Sequence, residues 1–488
     1  MVRKNTPPDR DKELSELIAQ YEAMKTENRQ IYLDGDQLAD IADKYAAERR
    51  FQESQEVITY GLSLHPGNTD LMVEQAYLYL DTQKIQLAKE VADSITETYE
   101  TSVKLLKAEL LLNEGKLDAT EMLLDTIDEQ DDLDTIIEVS YLYIDMGYPE
   151  KALPWLIKGL PRYNEEEDFL AATADCYCAS NQLEKAADFY NKLIDKNPYH
   201  PPYWLGLSRC QFAGQDYGKA IESVDFALAA DEKYGEGHLM KAHCLFHLEN
   251  EEEAIEEYKK ALQYKALAPE FAYMFIGLAY NNRECWQEAN DSFQRALEAI
   301  ENSEDKMSPL LTDIYTNKAI TLSKLGRSAE AHELCAKAKE IDSDNSEPYL
   351  LEGNIYMDEN DFESARKEWG MALHHSPEAE TWYQIGTYSI DYNMIENARF
   401  CFEQALKQKP DMEGLYEQLA SVCLILKDHK GFYKYNQLSN SPLNFEAMYE
   451  GLSALGSSDL IKELKNFMDE IKESIDGEEE EENKEEKS

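Results

Sequence analysis

Residues 252–262 read EEAIEEYKKAL, and the same plan recurs as GKAIESVDFAL at 218–228, QEANDSFQRAL at 287–297 and ENARFCFEQAL at 396–406. Each stretch has alanine third, a ring or a branched aliphatic residue seventh, and alanine-leucine at its end. The third, seventh and tenth residues follow the spacing i, i+4, i+7, which places them on one face of an α-helix. A chain that spells one short helix repeatedly is predicted to be a helical repeat protein.

The copies recur with a period close to 34 residues, which is typical of helical solenoids. If the third residue of each stretch is the reference, eleven clear copies centre on Ser54, Ala88, Thr120, Ala152, Ala186, Ala220, Ala254, Ala289, Ala331, Ala365 and Ala398. A weaker twelfth copy centres on Phe432. The sequence therefore predicts about eleven to twelve repeats.

Each repeat also carries a second pattern upstream of its reference residue. When the reference residue is numbered 20, position 8 is always small, from Ala42 in the first copy to Ala420 in the last. Positions 4, 8 and 11 share one helical face, and so do positions 20, 24 and 27. Small residues at 8 and 20 allow two helix axes to approach closely, so each repeat is predicted to be a helical hairpin that stacks on its neighbours.

This pattern resembles the tetratricopeptide repeat family. The copy at 348–377 matches the family motif especially well, through Tyr349, Gly353, Tyr356, Ala365, Trp369, Ala372 and Pro377. The resemblance covers roughly residues 35–440 and implies an all-α fold: a right-handed superhelix, or α-solenoid, with helical caps. Position 15, which is glycine in the family motif, often departs from it here, as at Gln215.

The regions outside the repeats suggest a simple domain organisation. Residues 1–34 are expected to include a capping helix, 35–440 to form the repeat array, 441–475 to form C-terminal capping helices, and 476–488 to be a disordered acidic tail. The step from Ala289 to Ala331 is longer than the others. We expect its extra residues, near 298–309, to extend a helix or to form a surface loop.

The bulk properties exclude several classes of protein. The formal net charge is −50, which repels nucleic acid and favours basic partners, and which also simply keeps a long protein soluble. The sequence contains no run of eighteen apolar residues, which a transmembrane helix would need, and the N-terminus lacks the apolar region of a secretory signal. We therefore expect a cytoplasmic protein with no nucleic-acid partner and no membrane insertion; the sequence leaves its oligomeric state open.

No catalytic motif stands out, so the sequence predicts no enzyme activity and no cofactor. One alternative is a metal-dependent or catalytic protein built on His243 and His247, which lie i, i+4 on one predicted helix face. Another alternative is a structural spacer in a larger assembly. It predicts partners at the ends or on the outer face.

The family resemblance implies that the first helix of each repeat lines a concave groove through positions 2, 5, 9, 12 and 13. Carried onto this chain, it gives these candidate groove residues: Tyr77, Asp81, Tyr141, Asp145, Arg209, Phe212, His243, Phe246, His247, Met274, Asn281 and Asn282. The leading hypothesis is a scaffold that binds a peptide segment of a protein there. No copy carries lysine at position 5, which argues against the family's carboxylate clamp for chaperone tails.

Overall fold

The structure is a computed structural model that describes residues 8–27, 32–302 and 308–442. In these ranges the chain forms helices and no β-strand. The helices are α1 (Pro8–Glu27), α2 (Gly35–Ala47), α3 (Phe51–Leu64), α4 (Thr69–Asp81), α5 (Ile85–Ser94), α6 (Thr101–Asn113), α7 (Leu117–Leu124), α8 (Leu133–Asp145), α9 (Pro149–Tyr163), α10 (Glu167–Ala179), α11 (Leu183–Lys196), α12 (Pro201–Ala213), α13 (Tyr217–Ala230), α14 (Gly235–His247), α15 (Glu251–Gln263), α16 (Pro269–Asn282), α17 (Trp286–Asn302), α18 (Leu311–Lys324), α19 (Ser328–Ile341), α20 (Glu347–Asp358), α21 (Phe362–His375), α22 (Ala379–Asp391), α23 (Ile395–Gln408), α24 (Leu415–Ile425) and α25 (His429–Leu438). The predicted all-α class is confirmed.

The chain divides into two compact units, residues 1–266 and 267–488. In the first unit, consecutive helices pair as hairpins from α2 and α3 to α14 and α15. The first helices of successive hairpins also contact one another, from α2 and α4 to α12 and α14. In the second unit, five hairpins run from α16 and α17 to α24 and α25, and α16, α18 and α20 contact in turn. Each unit is thus built by stacking one kind of hairpin.

The interior of each hairpin is closed by small side chains, as the two fixed positions predict. Every residue at position 20 from Ser54 to Ala398 is at most 1% exposed. Three hairpins of the second unit have glycine at position 8, and a Cβ added there would lie 2.7 Å from Phe293, 2.4 Å from Trp369 or 2.6 Å from Phe402. In each case the large ring at position 24 occupies the space that the glycine leaves, so the two positions are complementary.

The turns inside the hairpins share one backbone conformation. All twelve residues at position 15, from Arg49 to Lys427, have positive φ, between 56° and 79°. Only three of them are glycine: Gly115, Gly147 and Gly326. The left-handed conformation is costly for a residue with a Cβ. The stacked helices on either side therefore impose this turn whatever residue occupies it.

The first hairpin is covered on one side by α1. Tyr21 is buried against Tyr60, with ring centroids 6.2 Å apart, and Tyr45 donates a hydrogen bond of 3.0 Å to Glu22. At the long step, α17 continues to Asn302. Three segments lie outside the described residues: the remaining extra residues 303–307, the expected C-terminal caps from residue 443 to 475, and the acidic tail at 476–488.

None of the described helices combines enough residues with enough apolar character to cross a lipid bilayer.

Candidate functional site

The first helices of the first unit present a continuous row of side chains. We call the side that carries positions 2, 5, 6, 9, 12 and 13 the first-helix face. Its central row, at position 9, consists of Tyr77, Glu109, Tyr141, Asp175, Arg209 and His243 from α4, α6, α8, α10, α12 and α14. Five of the six are half-buried, and Arg209 is exposed. These side chains are therefore supported by the fold and still reachable from solvent.

Asp175 is held by two tyrosines. The Tyr141 hydroxyl donates a hydrogen bond of 2.9 Å to one carboxylate oxygen, and the Tyr190 hydroxyl donates to the other. Burial, the charge of Asp175 and this hydrogen bond all raise the pKa of Tyr141, so its hydroxyl keeps its proton. The carboxylate is thereby fixed in position.

Tyr190 belongs to the second helix α11 and reaches Asp175 past Gly206 on α12. A Cβ at Gly206 would lie 2.1 Å from the Tyr190 ring, inside contact distance. Glycine at this point is thus required for the second-helix tyrosine to enter the first-helix face.

Glu109 is surrounded by other acids. Burial chiefly, and then the nearby carboxylates of Asp81 on α4 and Asp145 on α8, raise its pKa to about 7. Burial likewise raises the pKa of Tyr77, with added effects of Glu109, Glu74 and Glu138. Since these groups come from three neighbouring helices, their charges act on one common surface.

Aromatic rings cluster at the far end of the row. Tyr217 stacks on His247 with ring centroids 4.8 Å apart and an interplanar angle of 7°. Phe212 meets both rings edge-on, at 5.3 Å from Tyr217 and 5.2 Å from His247. Phe246 lies 6.3 Å from His247. Phe212, Tyr217 and Phe246 are half-buried and His247 is exposed, so the cluster offers apolar surface with a polar edge.

The two histidines of the metal alternative have different neighbours. The His243 Nδ1 lies 2.9 Å from the Tyr258 hydroxyl, whereas His247 stacks on Tyr217. Burial lowers the pKa of His243, and His247 lowers it further, which favours a neutral His243 ring at pH 7. Across the described ranges, no three or more histidine, cysteine, aspartate or glutamate side chains are grouped to hold a metal ion.

The three candidate residues of the second unit lie on α16. Met274 is 8% exposed and packs in the core with Phe293 and Ile314, so it offers a partner little surface. Asn281 accepts a hydrogen bond of 2.8 Å from the Thr321 hydroxyl on α18. Asn282 is exposed. Of these three, Asn282 is the most accessible to a partner.

Several residues of the face were not among the sequence candidates. Glu109 and Asp175 share position 9 with Tyr77, so the repeat register contains the signal that identifies them. Tyr190 and Tyr217 belong to second helices and reach the face only through tertiary packing. The repeat register assigns Tyr190 to position 24, the interior ring, and Tyr217 to position 17, and it predicts for neither that it reaches the face.

The sequence matches two family models, both described as tetratricopeptide repeat. One matches residues 204–270, and the other matches residues 312–345 and 379–412. The first match covers most of α12 and all of α13 to α15, with the ring cluster, and the others cover nearly all of α18 with the whole of α19, and α22 with α23. Family signal is thus present in both units.

Similar proteins and structures include the following. The DnaJ protein P58IPK homolog A of Oryza sativa subsp. japonica is 22% identical over 295 residues, 53% of this chain and 62% of that protein. The DnaJ homolog subfamily C member 7 homolog of Dictyostelium discoideum is 21% identical over 265 residues, 49% of this chain and 48% of that protein. The chain therefore spans about half to three-fifths of the length of these relatives. The structure of yeast Tom70 aligns with a TM-score of 0.44 and 15% identity, covering 88% of this chain and 96% of that one.

Proposed function

The chain belongs to the tetratricopeptide repeat family, and from this premise we propose that it is a non-enzymatic scaffold that binds a polypeptide segment of a protein partner on its first-helix face. Repeats of this family are generally interaction modules without enzymatic activity, and they bind proteins or peptides. The proposal for this chain adds where the partner binds and which side chains hold it.

The observation that supports this proposal most directly is the ring cluster of Phe212, Tyr217, Phe246 and His247. The hairpin interiors are filled by other residues, such as Ala220 and Val224, both fully buried. The rings of the cluster remain partly exposed instead, beside the exposed guanidinium of Arg209. Aromatic anchors flanked by hydrogen-bonding groups are the composition that protein-binding surfaces favour.

The test compares two sets of phenylalanines that differ in location. The full-length chain is immobilised, and polypeptides retained from a lysate are identified for the original sequence, for Phe212→Ala combined with Phe246→Ala, and for Phe226→Ala. Phe226 is a matched control because it is 56% exposed but belongs to the second helix α13. We expect a specific polypeptide to be retained by the original chain and by Phe226→Ala, and to be lost with the double variant.

Two results would contradict the proposal. Retention that is unaffected by the double variant would remove the ring cluster from the binding site. Loss with Phe226→Ala alone would point to the second helices, as the structural-spacer hypothesis predicts. Circular dichroism of each variant would confirm that its helical content is unchanged.

A further inference from the structure

We propose that the part of the first-helix face carried by α4, α6, α8 and α10 binds a basic segment of the partner, in extended conformation and about nine residues long. This inference rests on the proposed function and specifies the chemistry of the partner. It concerns a different stretch of the face from the ring cluster on α12 to α14.

The first support is the distribution of charge on these four helices. Among their side chains at positions 2, 5, 6, 9, 12 and 13 there is no lysine or arginine. The same positions carry nine carboxylates: Asp70, Glu74, Asp81, Glu109, Asp134, Glu138, Asp145, Asp168 and Asp175. The pattern changes at α12, where position 9 becomes Arg209. The same positions of α2 also carry Asp36, Asp40 and Asp43, so the acidic surface ends at α12 and is more than the overall negative charge of the chain.

The second support is that these carboxylates act on one another across helices. The charges of Asp81 on α4 and Asp145 on α8 act on the carboxyl group of Glu109 on α6. The charge of Asp134 on α8 acts in the same way on Asp168 of α10. The mutual repulsion raises the pKa of Glu109 and of Asp168, after burial, which is the larger cause for both. A cationic partner would relieve this repulsion, which makes its binding favourable.

The surroundings of the carboxylates suit a peptide better than a bare cation. The described residues include no group of three or more ligands arranged for a metal ion. The face instead alternates acids with the rings of Tyr77 and Tyr141 and with half-buried apolar residues such as Leu80 and Ile137. Rings beside carboxylates favour lysine and arginine, whose apolar stems lie along the ring while the charged end meets the acid.

The length of the segment follows from the spacing of the helices. Packed helices lie about 8–10 Å apart, so the three steps from α4 to α10 span about 30 Å. Extended chain advances about 3.3 Å per residue, which gives about nine residues. Arg209 limits the acidic surface at the α12 end. A basic segment that fits should therefore end, or turn acidic, where it reaches α12.

The experiment uses two labelled nonapeptides and the full-length chain. In one peptide lysine alternates with alanine and leucine; in the other, glutamate replaces each lysine. Binding is measured by fluorescence anisotropy at low and at high salt. We expect the lysine peptide to bind, to weaken steeply as salt rises, and to bind about tenfold more weakly to the triple variant Asp81→Asn, Glu109→Gln, Asp145→Asn. The glutamate peptide should not bind.

A second triple variant separates the local face from the charge of the whole chain. Asp118→Asn, Glu184→Gln, Asp188→Asn removes the same number of carboxyl groups from exposed positions on the second helices α7 and α11, and both variants are measured at pH 8, above the pKa of Glu109. We expect it to change the affinity less than twofold. An equal loss with both triple variants, or equal binding of both peptides, would overturn the inference.

A third variant tests the chain's own basic residues as the occupant. Arg3→Glu combined with Lys4→Glu should leave the affinity for the lysine peptide within twofold. Binding at least tenfold tighter would mean that residues 1–7 occupy the face, which would overturn the inference of a separate partner. If the lysine peptide fails to bind but the Phe212 and Phe246 variant still loses its polypeptide, only this inference fails. If the lysine peptide fails to bind and no retained polypeptide is lost with the Phe212 and Phe246 variant, the proposed function fails as well.

Discussion

The interior of a hairpin and its first-helix face are built by different rules, although they belong to the same helices. In the hairpin of α16 and α17, Ala289 is fully buried, and Gly277 leaves only enough room for the Phe293 ring. On the other side of α16, Asn282 is exposed. The contrast teaches that close packing restricts the interior to few residue types, whereas the face can vary in charge and in ring content. Repetition therefore preserves the fold, and the face determines the partner.

The largest expected effect breaks the comparison on its interior side. Ala289→Phe adds a ring where the helix axes approach, and we expect the free energy of unfolding to fall by about 3 kcal/mol because the hairpin must open to accept it. Asn282→Phe adds the same ring on the face of the same hairpin and should cost no more than about 0.5 kcal/mol. Urea unfolding followed by circular dichroism measures both. Equal losses would mean that the face is packed as tightly as the interior.

A smaller effect is expected on the first-helix face, where burial makes the ionisation of one carboxyl group unfavourable. The pKa of Glu109 is raised to about 7 in the folded chain, so its ionisation opposes folding. This penalty is absent near pH 4, develops as the pH rises above the ordinary carboxyl value, and is complete above pH 7. Glu109→Gln should therefore stabilise the protein by roughly 1–2 kcal/mol at pH 8, a value reduced for solvent screening, and by about nothing at pH 4.

Unfolding in urea at the two pH values checks the Glu109 prediction. Glu184→Gln, an exposed change on the second helix α11, is the control and should change the free energy of unfolding by no more than about 0.5 kcal/mol. If Glu109→Gln had the same effect at pH 4 and pH 8, its ionisation would not be the cause.

The smallest expected effect concerns the turns that join the two helices of a hairpin. Gln215 has φ of 61° and Gly147 has φ of 79° at the same position of their repeats. Gln215→Gly should stabilise the protein by about 0.5–1 kcal/mol because it removes Cβ strain, and Gly147→Gln should destabilise it by about 1 kcal/mol. Thermal unfolding of the pair should move in opposite directions. Changes of the same sign would show that contacts of the new side chains, rather than backbone conformation, decide the result.

The sequence predicts the hairpin interior well because each interior position repeats. Small residues at positions 8 and 20 indicate close helix axes, and the structure has Gly353 directly under the Trp369 ring. Position 15 is more instructive, because the residue there is often not glycine although the backbone keeps a positive φ, as Gln215 and Lys427 show. The departures change the side chain and its strain, but the packing of two helices still determines the turn.

The contacts of the face could be predicted only in part. The register places Tyr141 and Asp175 in one row, since adjacent repeats align position 9 with position 9. It does not predict that Tyr190 also binds Asp175, because that contact depends on a missing side chain at Gly206. Contacts between layers depend on tertiary placement, and no single helix pattern contains that information.

The missing side chain at Gly206 lets a residue of a second helix reach the first-helix face, on which we expect a partner to bind. Tyr190 is carried by an outer helix, yet its hydroxyl orients an acid that a ligand would meet. A substitution in α11 that never touches the ligand would therefore alter its affinity. Selection for binding in this protein can thus act on residues that a list of ligand contacts would omit.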